Sequence, residues 1–136
     1  MSEGKSMIRR WLSRLLGGNA KSDTPVTQIR TLTTRDELDE ALAAPVAVWY
    51  KHSPICAVSA WTLREVKRFA REHPDTAVFH IDVIRHRDLS DWISEHFGIR
   101  HESPQALVVR DGREAWATSH SSITADALWQ QVEKDV

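Results

Sequence analysis

From about residue 26 onward the apolar positions switch repeatedly between a strand period and a helix period. Val26 to Leu32 is a weak strand candidate. Thr34 stands three residues before Glu37, the spacing of a capping box, so a helix is predicted over about 35–43 and ended by Pro45. Val46 to Tyr50 is a short apolar run with valine and aromatics and reads as a buried strand. Lys51 to Ile55, containing Pro54, reads as a turn. A helix is predicted over about 56–72, with Val58, Thr62, Val66 and Phe69 on its buried face and Trp61 and Leu63 at the margins. His73-Pro74 closes it, and Ala77 to Ile84 reads as a further strand. Leu89, Trp92, Ile93 and Phe97 recur at helical spacing over about 88–97, with Gly98 as the natural stop. Asp111-Gly112 joins two strand-like runs, Gln105 to Arg110 and Arg113 to Thr118, and is a strong hairpin signal because both residues must take positive φ. Thr124 caps a last helix over about 125–134, with Ile123 placed to pack on Leu128.

The order is therefore β-α-β-α-β-α-β-β-α. Strand–helix–strand units with long crossovers imply parallel pairing of right-handed connection, and the hairpin adds an antiparallel pair. The fold class is α/β: a central mixed β-sheet flanked by helices on both faces.

The 136 residues suit one domain. Residues 1–25 stand apart from it. Lys5, Arg9, Arg10, Arg14 and Lys21 face only Glu3 and Asp23, while Ile8, Trp11, Leu12, Leu15 and Leu16 recur at helical spacing up to Gly17-Gly18. This is a basic amphipathic segment followed by a linker, and residues 26–136 form the domain proper. A segment of this kind can touch an anionic membrane surface. A frayed or loosely docked N-terminal helix is the plainer reading.

The net charge of −1 supplies no field to gather nucleic acid, so no nucleic-acid partner is expected. No run approaches the roughly 20 apolar residues of a membrane span. The early apolar cluster from Trp11 to Leu16 is split by Arg14 and does not read as a secretory signal. The chain holds one cysteine, which excludes an internal disulfide, a Cys-x-x-Cys dithiol and a multi-cysteine zinc site. A lone thiol with no signal peptide suits a reducing, cytoplasmic setting. Any disulfide at Cys56 must use a second molecule.

Cys56 lies where a buried strand hands over to a helix. Ligands of open α/β sheets bind just beyond the carboxyl ends of the strands. A helix N-terminus also favours an anion, through its free N–H groups and its dipole. A free thiol has a pKa of about 8.5, and at such a helix start it falls to roughly 3.5–7.5. Lys51 and His52 are close enough in sequence to push the same way. Ser59 stands one helical turn on, where a second cysteine would resolve a mixed disulfide. A serine cannot do that, but its hydroxyl can hydrogen-bond a thiolate. The plainer alternative, a buried inert cysteine, fits poorly with Ser53-Pro54 just before the helix.

Other candidates have two readings each. His80 and Asp82 share a strand face and His86 follows, yet none of the seven histidines falls at the spacing of a common zinc motif, and no metal is expected. His101 and His120 are either contacts for substrate or thiolate, or solvated loop residues. Asp82 is either a buried proton shuttle or a strand-end acid in water. Trp49, Trp61, Trp92 and Trp129 fall on predicted buried patterns, and Trp116 on a terminal strand.

The element order resembles thioredoxin. The segments Lys51-His52-Ser53, Cys56-x-x-Ser59, His101-Glu102-Ser103-Pro104-Gln105, Asp111-Gly112 and Ser119-His120 are similar to those of the monothiol bacilliredoxins of the YtxJ group. The resemblance spans about residues 26–134, and the basic, apolar start ending in Gly-Gly is similar as well. It implies that Cys56 and Ser59 are the catalytic pair. It also implies that Lys51, His52 and Ser53 on one side, and His101, Ser103, Pro104 and Gln105 on the other, contact substrate. Pro104 would be a cis-proline facing the thiol, and the Ser103 backbone would pair with an extended substrate. No bound cofactor is implied. Bacillithiol would be the co-substrate, and the partners would be bacillithiolated client proteins and the low-molecular-weight thiol itself. In one respect the chain departs from the group: Ala57 follows the cysteine where the family usually has proline.

Three functions fit these residues. The first is monothiol exchange that removes bacillithiol, or a similar small thiol, from protein mixed disulfides. The second is a non-catalytic binding or sensor module in which Cys56 is merely modified. The third is an iron–sulfur carrier of the monothiol-glutaredoxin kind, with Cys56 from two chains and two low-molecular-weight thiols as ligands.

Overall fold

The computed structural model describes residues 29–134, so the basic N-terminal segment lies outside the described residues. The elements are β1 (Ile29–Thr31), α1 (Arg35–Ala41), β2 (Val46–His52), α2 (Ala57–Glu72), β3 (Ala77–Asp82), α3 (Arg87–Phe97), β4 (Gln105–Arg110), β5 (Arg113–Ser119), a 3-10 turn (His120–Ser122) and α4 (Ala125–Glu133). The predicted order is the observed one.

The strands form one sheet in the order β1-β3-β2-β4-β5. β3 pairs parallel with both β1 and β2, while β4 pairs antiparallel with β2 and β5. β2 is central, and all seven of its residues are buried. Its side chains alternate between two cores, as the pleat requires. Ala47 and Trp49 join Leu38 and Ala41 of α1 and Leu89 and Ile93 of α3. Val46, Val48 and Tyr50 join Val66 and Phe69 of α2 and Leu128 and Val132 of α4. Helices thus cover both faces.

Local chemistry fixes the ends of the elements. Asp111 and Gly112 both take positive φ, 53° and 76°, in the β4–β5 hairpin. Gly98 ends α3 at φ 64°, in the left-handed region. The Thr34 hydroxyl accepts from the Glu37 N–H at 3.2 Å, and the Glu37 carboxylate accepts from the Thr33 and Thr34 amides at 3.0 and 3.2 Å. Burial works against ionisation of Glu37, but the Thr33 amide and hydroxyl and the Arg30 guanidinium outweigh it and hold its pKa down to about 2. Its contribution to stability is present above its ordinary pKa of 4.5 and is lost as the pH falls toward 2. Replacing Thr34 by alanine is expected to cost about 1 kcal/mol. Urea denaturation reads this as a lower midpoint with unchanged slope, and an unchanged midpoint would show that the cap is not contributing.

Three sequence expectations are corrected. Lys51 and His52 belong to β2 and not to the following turn, because the ladder continues through Lys51↔Gln105 and His52↔Asp82. Val58 is 39% exposed and Trp61 44%, so neither is on the buried face of α2, which begins instead with Ser59 and Thr62. β3 ends at Asp82, because the Asp82 carboxylate turns back to accept from the Ile84 and Arg85 amides at 2.9 and 3.0 Å. Asp82 is therefore a strand-end acid. Among the described residues no helix is long and apolar enough to cross a membrane.

Candidate functional site

β2 delivers the chain to the carboxyl edge of the sheet, and Ser53-Pro54-Ile55 turns it into α2. Cys56 is the N-cap of α2, with extended backbone at φ −106° and ψ 125°. Its N–H donates to the Ser53 carbonyl at 3.2 Å, and its own carbonyl accepts from the Ala60 N–H at 3.2 Å. The cysteine therefore stands at the first open turn of a 16-residue helix. The neutral thiol makes no capping hydrogen bond. The N–H groups of Ser59 first, and then Val58, favour its thiolate, with a further contribution from the Ser59 hydroxyl. They outweigh slight burial and hold the pKa below the ordinary thiol value. The Cys56 side chain remains partly accessible.

Ser59 is fully buried, and its Oγ accepts from the Ser53 N–H at 3.1 Å. That bond ties the turn before the thiol to the helix after it. Sequence reasoning missed what lies beneath. The Tyr50 hydroxyl donates to the Ser59 carbonyl at 3.0 Å, and lies 2.7 Å from Thr62 Oγ1 and 3.1 Å from His52 Nδ1. Burial pushes the Tyr50 pKa up to about 12, so this phenol stays protonated and remains a donor. His52 packs against His80, ring centroids 5.2 Å apart, and His80 Nδ1 lies 3.4 Å from Thr31 Oγ1. Burial lowers the pKa of both imidazoles. The first turn of α2 thus rests on a neutral, hydrogen-bonded platform. A tyrosine near the end of a buried strand was the only signal for it.

Lys51 faces the opposite core. It is fully buried, and its Nζ lies 3.3 Å from Ser94 Oγ and 2.7 Å from His101 Nδ1. Burial lowers its pKa to about 8, against the attraction of Asp91 and Glu102. When Lys51 is charged, the ammonium donates and His101 Nδ1 accepts, which puts the ring proton on Nε2. Burial first, then Lys51, lowers the His101 pKa. Neither Lys51 nor His52 offers its side chain to bulk solvent as a turn residue would.

The segment before β4 closes the site. The Ser103-Pro104 peptide is cis. The β2–β4 register brings it to the end of the sheet where His52-Ser53 leaves β2. The Pro104 carbonyl accepts from the His120 N–H at 3.0 Å, and His120 Nε2 lies 3.1 Å from the Glu102 carboxylate. Gln105 is buried, and its Nε2 donates to the Arg100 carbonyl at 3.0 Å, so it anchors the loop from inside. Ser53, His101 and Ser103 line one cavity on the α3 side. Ile55, directly before the cysteine, is 83% exposed, and Trp61 and Ile84 are exposed as well. Among the described residues no three His, Cys, Asp or Glu side chains cluster to hold a metal ion.

Comparison with known proteins gives a consistent result. The family described as monothiol bacilliredoxin BrxC matches residues 27–128. A solved structure assigned as an oxidoreductase with a thioredoxin fold is 29% identical, with a TM-score of 0.73, over 77% of this chain and 94% of that one. Thioredoxin from Trypanosoma brucei brucei is 11% identical, with a TM-score of 0.68, over 82% of this chain and 93% of that one. A mutant thioredoxin from Halobacterium salinarum is 21% identical, with a TM-score of 0.66, over 85% and 98%. The fold is that of thioredoxin.

Proposed function

The chain belongs to the monothiol bacilliredoxin family, and from that premise we propose that it removes bacillithiol, or a similar small thiol, from protein mixed disulfides through Cys56. The observation that carries this reading is the lone cysteine at the N-cap of α2, with helix-start amides favouring its thiolate and a serine in the second position. A reducing cytoplasm is the setting in which such a thiol stays ready.

Two exchanges complete the cycle. In the first, Cys56 Sγ attacks the small-thiol sulfur of the client's mixed disulfide. The new Sγ–S bond forms, the client's S–S bond breaks, and the client thiolate leaves and takes a proton from water. In the second, the thiolate of another small thiol attacks the sulfur held on Cys56. A symmetric small-molecule disulfide forms and Cys56 leaves as thiolate. Overall, one mixed disulfide and one free small thiol become one client thiol and one symmetric disulfide: the client sulfur gains one electron and the sulfur of the attacking small thiol loses one. The amides of Ser59 and Val58 help in both halves, because they raise the thiolate fraction of the attacker and ease its departure. Ser59 cannot intercept the intermediate as a second cysteine would.

Turnover separates this reading from a sensor. With excess bacillithiol, a small amount of protein is expected to release many equivalents of client thiol. Release that stops at one equivalent per Cys56 would identify a module that is modified without catalysing.

A further inference from the structure

The turn that leads into Cys56 borders, through Ser53, a cavity of about 390 Å³. Its polar lining comes from three separate places: Ser53 from the turn before Cys56, Arg87, Ser90 and Asp91 from the start of α3, and His101 and Ser103 from the loop before β4. Val83 and Ile84 supply its apolar part. The Ser53 carbonyl accepts the Cys56 N–H at 3.2 Å, so the cavity wall and the reactive residue are joined directly.

The lining is built for a polar guest. Ser90 is 1% exposed, with its hydroxyl 3.3 Å from His101 Nδ1, and Ser53 is 8% exposed, while Arg87 and Asp91 are exposed. The Ser103 hydroxyl oxygen is shielded from solvent and has no hydrogen-bond partner among the described residues. A buried hydroxyl left in that state calls for a partner. Lys51, buried behind His101, carries an ammonium that Asp91 and Glu102 attract. An apolar guest would leave the Ser103 hydroxyl without a partner.

We propose that this cavity is the subsite for the non-sulfur part of the small thiol whose sulfur becomes bonded to Cys56. That part carries a carboxylate together with hydroxyl or amino groups. Arg87 and the His101 Nε2–H meet the carboxylate, Ser103 meets a hydroxyl, and Asp91 meets an amine. Lys51 is a positioning residue here, because it fixes the His101 tautomer without touching the guest. The proposal rests on small-thiol exchange at Cys56 and adds which face of the protein selects the thiol.

The test compares two disulfides as oxidants of reduced Cys56: bacillithiol disulfide, which carries the polar groups, and hydroxyethyl disulfide, which does not. Arg87→Met is expected to slow the reaction with bacillithiol disulfide by about tenfold relative to hydroxyethyl disulfide, the loss of one charge-assisted contact. Arg87→Lys should recover part of that ratio, and Ser103→Ala should lower it by a few-fold. An unchanged ratio in both Arg87→Met and Ser103→Ala would overturn the subsite while leaving exchange at Cys56 intact. If neither disulfide reacts with the wild type, exchange itself fails, and the subsite is then judged by titrating Cys56→Ser protein with S-methyl bacillithiol. Amide shifts at Ser90, Asp91 and His101 would uphold it, and shifts elsewhere or none would overturn it.

Discussion

Cys56→Ser protein is expected to show no thiol transfer at all, whatever the small thiol or client. Each proposed bond change passes through this sulfur, and no other cysteine exists in the chain to take over. A serine hydroxyl has no accessible anion at neutral pH and forms no S–S bond. Ser59→Ala is expected to behave differently. It removes the acceptor of the Ser53 N–H at 3.1 Å and one weak donor to the thiol, but leaves the amides of Ser59 and Val58 in place. Transfer should slow by about tenfold, a loss of the order of one hydrogen bond, and should not stop. Equal and complete inactivity of both variants would mean that Ser59 takes part in the chemistry or is needed to hold the site.

Replacing Lys51 by methionine should give a more stable protein with weaker selection of the small thiol. The ammonium is fully buried and its pKa falls to about 8 from 10.5, chiefly through burial. Methionine keeps the apolar stem and removes the charge, a change expected to add about 1–3 kcal/mol at pH 7. The pH dependence gives the sign. Below about pH 8 the lysine is charged in both folded and unfolded chains, and the cost of burying it is present in full. Between pH 8 and 10.5 the folded chain loses the proton while the unfolded chain keeps it, so wild-type stability rises. The advantage of Lys51→Met should therefore shrink across that window. Asp91 and Glu102 attract the same ammonium, and the lowered pKa of Lys51 already includes their effect; His101, whose pKa is lowered by burial and by Lys51, does not reverse the direction. A destabilised variant at pH 7 would show instead that the bonds to Ser94 and His101 outweigh desolvation.

Much of this fold is legible along the chain because its punctuation is local. Thr34 with Glu37, Asp111 with Gly112, and Gly98 each satisfy or bend backbone within one turn of themselves, so the residue type reveals the geometry. Cys56 is legible for the same reason, since a strand-to-helix handover is a local event. The end of β2 is not. A lysine and a histidine after an apolar run read as exposed turn, because charged side chains are almost never fully buried without partners. Their partners, Ser94, His101, Tyr50 and His80, lie on other strands, helices or loops or depend on the pleat. The start of α2 shows the same effect. Val58 looks like the inward residue, yet the turn is phased by Ser59 meeting the Ser53 amide and Tyr50 meeting the Ser59 carbonyl. Polar residues occupy a face where periodicity expects apolar ones, and only the third dimension shows them satisfied. The cavity under α3 was invisible for that reason as well: Arg87, Ser90 and Asp91 are ordinary surface-helix residues until His101 and Ser103 are brought opposite them.

The decisive measurement is intact-mass analysis of the reduced protein after mixing with a bacillithiolated test protein. One added bacillithiol on Cys56, with one freed client thiol and no addition to Cys56→Ser protein, is the predicted result. An unmodified Cys56 beside an unchanged client would contradict exchange with bacillithiol at this site.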